Sequence, residues 1–130
     1  MHEREFYFIF FTPNYEATVD FYRKTLELPL IRSWDGPKER GVLLRAGTSG
    51  VVCIMSRKPD QKMTPPQDML IGIEVEDVDD WHRWLMLKNV PIERPPQSHS
   101  WGLRTMSVKD PNGLSVLLFS RIGQVSPPKD

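Results

Sequence analysis

The sequence is poor in the features that announce a chemistry. It has one cysteine, Cys53, so no internal disulfide framework can form, and intracellular residence is the simple expectation. It has no excess of either charge: 17 Lys and Arg stand against 17 Asp and Glu. A nucleic-acid surface needs a basic surplus, so no nucleic-acid partner is expected, and a strongly acidic trap for cations is equally disfavoured. No apolar run approaches the roughly 18–20 residues of a membrane span. The run Phe6 to Phe11 is too short for a secretory core and ends at Thr12-Pro13-Asn14. These absences lead to the expectation of a soluble, cytoplasmic protein with no membrane partner. Ser-His-acid, Walker and Gly-rich dinucleotide patterns are also missing, and no catalytic residue or cofactor is assigned.

The chain does carry a repeat. Phe6–Phe11 is aromatic and β-branched and reads as a strand. From Thr12 to Leu30 the apolar positions Val19, Phe21, Tyr22 and Leu26 recur at helical spacing, with Thr12 or Asn14 as cap and Pro29 as terminator. Strands are expected near Leu30–Trp34, Gly41–Ala46 and Val51–Ser56. After the proline-bearing stretch 59–68, read as a linker, the order starts again. Met69–Val75 is a strand, Asp77–Lys88 a helix, and Ile92–Arg94, Leu103–Lys109 and Ser115–Ser120 are strands. Residues echo across the halves. "GVVCIMSR" (50–57) lies over "LSVLLFSR" (114–121), and "LPL" (28–30) over "VPI" (90–92), at shifts of 64 and 62. The expectation is an α+β chain of two tandem βαβββ modules, 1–58 and 69–122, with a tail at 123–130. A half of this size is marginal alone, so shared burial, within the chain or in a homodimer, is expected.

The pattern β-α-β-β-β twice, with "FY" in the first helix, "EVEDVDDW" at the second strand–helix junction and "DPNG" before the last strand, resembles the vicinal oxygen chelate superfamily. That family includes glyoxalase I, extradiol dioxygenases and the fosfomycin- and bleomycin-resistance proteins. The resemblance implies that each half curls into a partial barrel around a cleft. In metal-using members, His or Glu on the first and last strand of each half hold a divalent ion as Lewis acid. Counting from "FY" and "DPNG" puts those positions at Tyr7, Cys53, Leu70 and Leu117. Leucines have no lone pair to offer, so the metal site of the family is expected to be absent.

Strand alternation then selects the cleft lining. Ile9 and Phe11 share parity with Tyr7; Met55 with Cys53; Gly72 and Glu74 with Leu70; Ser115 and Phe119 with Leu117. The opposite parity, Phe8, Phe10, Val52, Ile54, Ile71, Ile73, Val116 and Leu118, is wholly apolar and should pack under the helices. Trp34 and Trp101 fall in or beside loops, where they either stack on a flat ligand or serve the fold. "SHSWGLR" groups His99, Trp101 and Arg104 as a candidate clamp for a carboxylate or phosphate, or else a solvated hairpin. The function expected is metal-free binding of a small, aromatic organic molecule, as in the bleomycin-resistance type. Two alternatives stand beside it. One is a lyase or dioxygenase of the same family with unusual ligands, or with proton transfer by Tyr7, His99 or Glu74. The other is a structural or regulatory domain with a closed cleft.

Overall fold

The computed structural model describes residues 5–58 and 68–123. The expected linker, apart from Asp68, and nearly all of the expected tail lie outside these residues. The chain divides into two compact units, Met1–Pro66 with Asp110–Gly113, and Gln67–Lys109 with Leu114–Asp130.

The first unit is a mixed four-stranded sheet in the order β1-β4-β3-β2, where β1 is Phe6–Thr12, β2 Leu30–Asp35, β3 Arg40–Ala46 and β4 Gly50–Ser56. Strands β1 and β4 run parallel, joined through the helix α1 (Tyr15–Asp20), and the rest of the sheet is antiparallel. The second unit repeats this as β5-β8-β7-β6: β5 is Leu70–Glu74, β6 Ile92–Ser98, β7 Leu103–Lys109 and β8 Ser115–Arg121, with the helix α2 (Val78–Leu87) after β5. The α+β class and the duplicated module are as expected from the sequence.

The first helix is shorter than its apolar spacing suggests. It widens after Asp20 into π-type turns over Phe21–Thr25, and the Leu26 amide donates back to the Phe21 carbonyl at 2.8 Å. Glu27 then adopts a left-handed φ of 60° and ends it. Asn89 does the same after α2 with φ 58°, one more correspondence at a shift of 62. Asp77 caps α2, accepting from the Asp79 amide at 2.9 Å. Asn14 stands at the N-cap of α1, where its carbonyl accepts from the Thr18 amide at 2.9 Å, but its side chain makes no capping hydrogen bond. The Thr12 hydroxyl donates to Asn112 Oδ1 at 2.8 Å, and the Asn14 side-chain amide donates to the same oxygen at 3.1 Å. Both residues therefore hold the Asp110–Gly113 turn.

That turn is anchored more deeply by Tyr22, which is fully buried and donates to Asp110 Oδ2 at 2.8 Å. The "FY" and "DPNG" fragments of the sequence are thus hydrogen-bonded partners. Burial and the neighbouring Asp110 carboxylate push the Tyr22 phenol far above its ordinary pKa, so it stays a donor.

Each sheet has one face under its helix and one face open. On the helix side Phe10, Val52, Ile54, Val116 and Leu118 are all buried, and Phe8, Ile71 and Ile73 are half-buried. The parity read from the sequence shows in β1, β5 and β8, whereas on β4 both faces are buried, Val51, Cys53 and Met55 included. Strand β6 is longer than expected, reaching Ser98, because its prolines fall at register shifts on an edge strand, where a missing N–H leaves no ladder gap.

Candidate functional site

The open face of the first unit carries Tyr7, Ile9 and Phe11, which are 43%, 56% and 45% exposed. Their neighbours on β4 are Val51, Cys53 and Met55, paired with them in that order. Cys53 and Met55 have the expected parity but are buried. Burial first, and Glu39 second, push the Cys53 thiol up from its ordinary pKa, which disfavours the reactive thiolate. Trp34 is paired with Gly41, and its ring occupies the space a Cβ there would need. The Arg32 guanidinium lies over the same ring, 5.2 Å from its centroid. The position therefore requires glycine, and Trp34 is held by its own sheet.

The open face of the second unit carries Leu70, Gly72 and Glu74 on β5 against Ser115, Leu117 and Phe119 on β8. Phe119 lies over Gly72. The Glu74 carboxylate accepts from Arg121 Nε at 3.0 Å. Leu70 and Leu117 wall a cavity of about 460 Å³, whose polar lining includes Glu93, Ser107 and Ser115. Ser107 donates to Glu93 Oε1 at 3.0 Å, and Ser115 to the same oxygen at 3.1 Å.

The "SHSWGLR" residues divide between two faces. His99 and Trp101 stack at 4.3 Å, and His99 Nε2 is 2.8 Å from the Thr105 hydroxyl, whose strand partner is Phe119. Arg104 has the opposite parity on β7, in line with the buried Met106 and Val108. It forks onto Asp79 of α2, with Nε and Nη2 donating at 2.8 and 2.9 Å. That hydrogen bond holds the Asp79 carboxyl below its ordinary pKa. The structure joins His99 to Trp101 and turns Arg104 away, with its bidentate donors engaged. Glu93 escaped sequence reasoning because a register shift, invisible in the sequence, places it. The only signal was its position two residues after Pro91, matching Ile31 after Pro29.

Two mixed four-stranded sheets, each with a helix on one face and an open face on the other, define a duplicated α+β scaffold. The chain belongs to the Glyoxalase/Bleomycin resistance protein/Dioxygenase superfamily, whose model matches residues 6–118. It is similar in fold to the trypanothione-dependent glyoxalase I of Leishmania major, at 22% identity and a TM-score of 0.74, covering 92% of this chain and 87% of that one. TnmS3, an antibiotic binding protein from Streptomyces sp. CB03234, is alike at 21% identity and TM-score 0.74, with 92% and 97% covered. TioX from Micromonospora sp. ML1 matches at 18% identity and TM-score 0.70, with 90% and 98% covered. No curated protein sequence matches.

Metal-using members of this superfamily imply a divalent ion, and the donor set here does not fit one. At the four positions that the sequence resemblance assigns, Tyr7, Cys53, Leu70 and Leu117, stand a phenol, a buried thiol and two leucines. An open catalytic site needs about three protein donors. Among the described residues no group of three or more His, Cys, Asp or Glu is placed to hold an ion. Among the described residues, no helix is long and apolar enough to cross a membrane.

Proposed function

We propose that this protein binds a small, aromatic organic molecule on its open sheet faces, by apolar contact and without a metal. The observation that carries this reading is the cavity of about 460 Å³ walled by Leu70 and Leu117. Its size suits a small ligand, and its leucines stand where an ion would otherwise be gripped. In the same unit Phe119 and the stacked His99–Trp101 pair supply further surface for flat rings, and the first unit by itself offers the exposed Tyr7, Ile9 and Phe11. Cys53 and Met55 lie beside Ile9 and Phe11 on β4, and Trp34 pairs with Gly41, the β3 partner of Met55. The fold shared with an antibiotic binding protein is in keeping with sequestration of such a molecule.

The protein works as a cytoplasmic homodimer in this reading. Large apolar side chains on the edge strand β1, Phe6 at 76% exposed among them, favour assembly of two copies. Sedimentation at micromolar concentration tests the dimer; a clean monomer contradicts it. Thermal shift against aromatic antibiotics and metabolites tests the binding. A ligand at a hundred times its Kd stabilises by about 2.7 kcal/mol. Stabilisation that persists in EDTA supports metal-free binding, and a broad library without a single hit overturns it.

A further inference from the structure

The two halves differ in one concerted way. Edge strands β2 and β6 each carry a bulge at the same place in the repeat. Leu30 and Arg32 pair with the adjacent residues Leu44 and Leu43, and Ile92 and Arg94 pair with Val108 and Ser107. One residue is therefore extra in each strand, Ile31 in the first half and Glu93 in the second, again 62 apart. A bulge of this kind re-aims a side chain.

In the first half, Leu43 pairs with Arg32 next to that position, and Val51 lies on the strand beyond. In the second the corresponding residues are Ser107 and Ser115, each 64 further along. Three apolar side chains in one half are thus replaced together by a carboxylate and two hydroxyls in the other. The polar set also faces a cavity, shared with Leu70 and Leu117.

The hydrogen bonds fix what this set can offer. Both serines give their protons to Glu93, at 3.0 and 3.1 Å to Oε1, with Ser115 also 3.2 Å from Oε2. Their oxygens and the carboxylate retain lone pairs and have no proton left to give. Lys109 Nζ is 3.7 Å from Oε2 and offsets part of the charge, and Arg94 lines the same cavity. The cluster is an acceptor site beside the apolar Met69, Leu70 and Leu117, on a cavity that Asp68 and Arg94 also line.

We propose that Glu93, with Ser107 and Ser115, is the polar anchor for a ligand whose apolar ring carries an N–H or O–H donor, such as an amine. This rests on the binding reading above and names the chemical class of its ligand. The donor group bonds the Glu93 carboxylate while the ring lies against Leu70 and Leu117. A carboxylate finds no donor on Glu93, Ser107 or Ser115 and is repelled by the Glu93 charge, so with only Arg94 and Lys109 to pair with it binds more weakly than the amine.

The test follows amide signals of the intact chain by ¹H–¹⁵N NMR during titration with benzylamine, benzoate and toluene. Benzylamine should shift Ser107, Ser115 and Leu117, and benzoate should bind there more weakly. Glu93→Ile, which installs the first-half residue, should weaken benzylamine at least tenfold relative to toluene. Glu93→Gln, which keeps the shape, should weaken benzylamine in the same direction; a dispersed spectrum certifies the fold of each variant. Benzylamine binding unchanged in both variants, or benzoate shifting the same amides as tightly as benzylamine, overturns the anchor alone and leaves toluene binding intact. If none of the three probes shifts any open-face amide, the anchor and the binding reading fall together.

Discussion

Replacing Tyr22 by Phe removes one hydroxyl from a fully buried ring and leaves the Asp110 carboxylate without its 2.8 Å donor. The ring itself stays packed, edge-on to Phe21 at 5.2 Å and tilted to Phe10 at 5.9 Å, so no cavity term enters. The cost is that of a buried acceptor losing its partner, about 1–3 kcal/mol. Asp110 keeps the Asn112 amide at 2.8 Å, which places the expectation in the lower half of that range. A chain of this length unfolds with an entropy near 0.27 kcal/mol/K, so about 1.5 kcal/mol lowers the Tm by about 5–6 °C. Differential scanning calorimetry of Tyr22→Phe, Asp110→Asn and the double variant measures it. The double variant should cost clearly less than the sum, because the two groups act as one unit. A Tm change under 1 °C for Tyr22→Phe, or strict additivity, refutes the claim that this bond ties the turn to the helix.

Three further outcomes are expected. Glu27 holds a left-handed φ of 60° at an exposed site, so Glu27→Gly should stabilise by about 0.5–1 kcal/mol, read as a higher urea midpoint at constant slope. Asp79 has its pKa lowered chiefly by the Arg104 hydrogen bond, so its contribution is present above its unfolded value near 4 and is lost as pH falls below that. Thermal melts from pH 3 to 6 should accordingly show a steeper acid loss for the wild type than for Asp79→Asn; parallel curves contradict this. Cys53, buried and with its thiol pushed up, should react with iodoacetamide at pH 7.5 at least tenfold more slowly than free cysteine, as mass spectrometry would show.

Much of the architecture was legible in the sequence because duplication supplied the same signals twice. The Ser-Arg strand ends, the two prolines and the strand parities gave the βαβββ order and the two faces before any coordinates. The side chains that carry specificity were less legible. Arg104 lies close to His99 and Trp101 in sequence, but strand alternation sends it to the opposite face, where Asp79 takes its fork. Glu93 became visible only through a bulge, since a register shift leaves no trace in composition or periodicity. The unwinding of the first helix after Asp20 was likewise hidden, because Phe21 and Tyr22 keep helical spacing while the hydrogen bonds lengthen to i+5.

The measurement bearing most directly on the central claim is isothermal titration with an aromatic ligand found by thermal shift, repeated after exhaustive chelation. Elemental analysis of the protein purified without chelator completes it. Unchanged affinity and a substoichiometric content of Mn, Fe, Ni and Zn are predicted. Affinity abolished by chelation, restored by one equivalent of a single ion, would contradict the account.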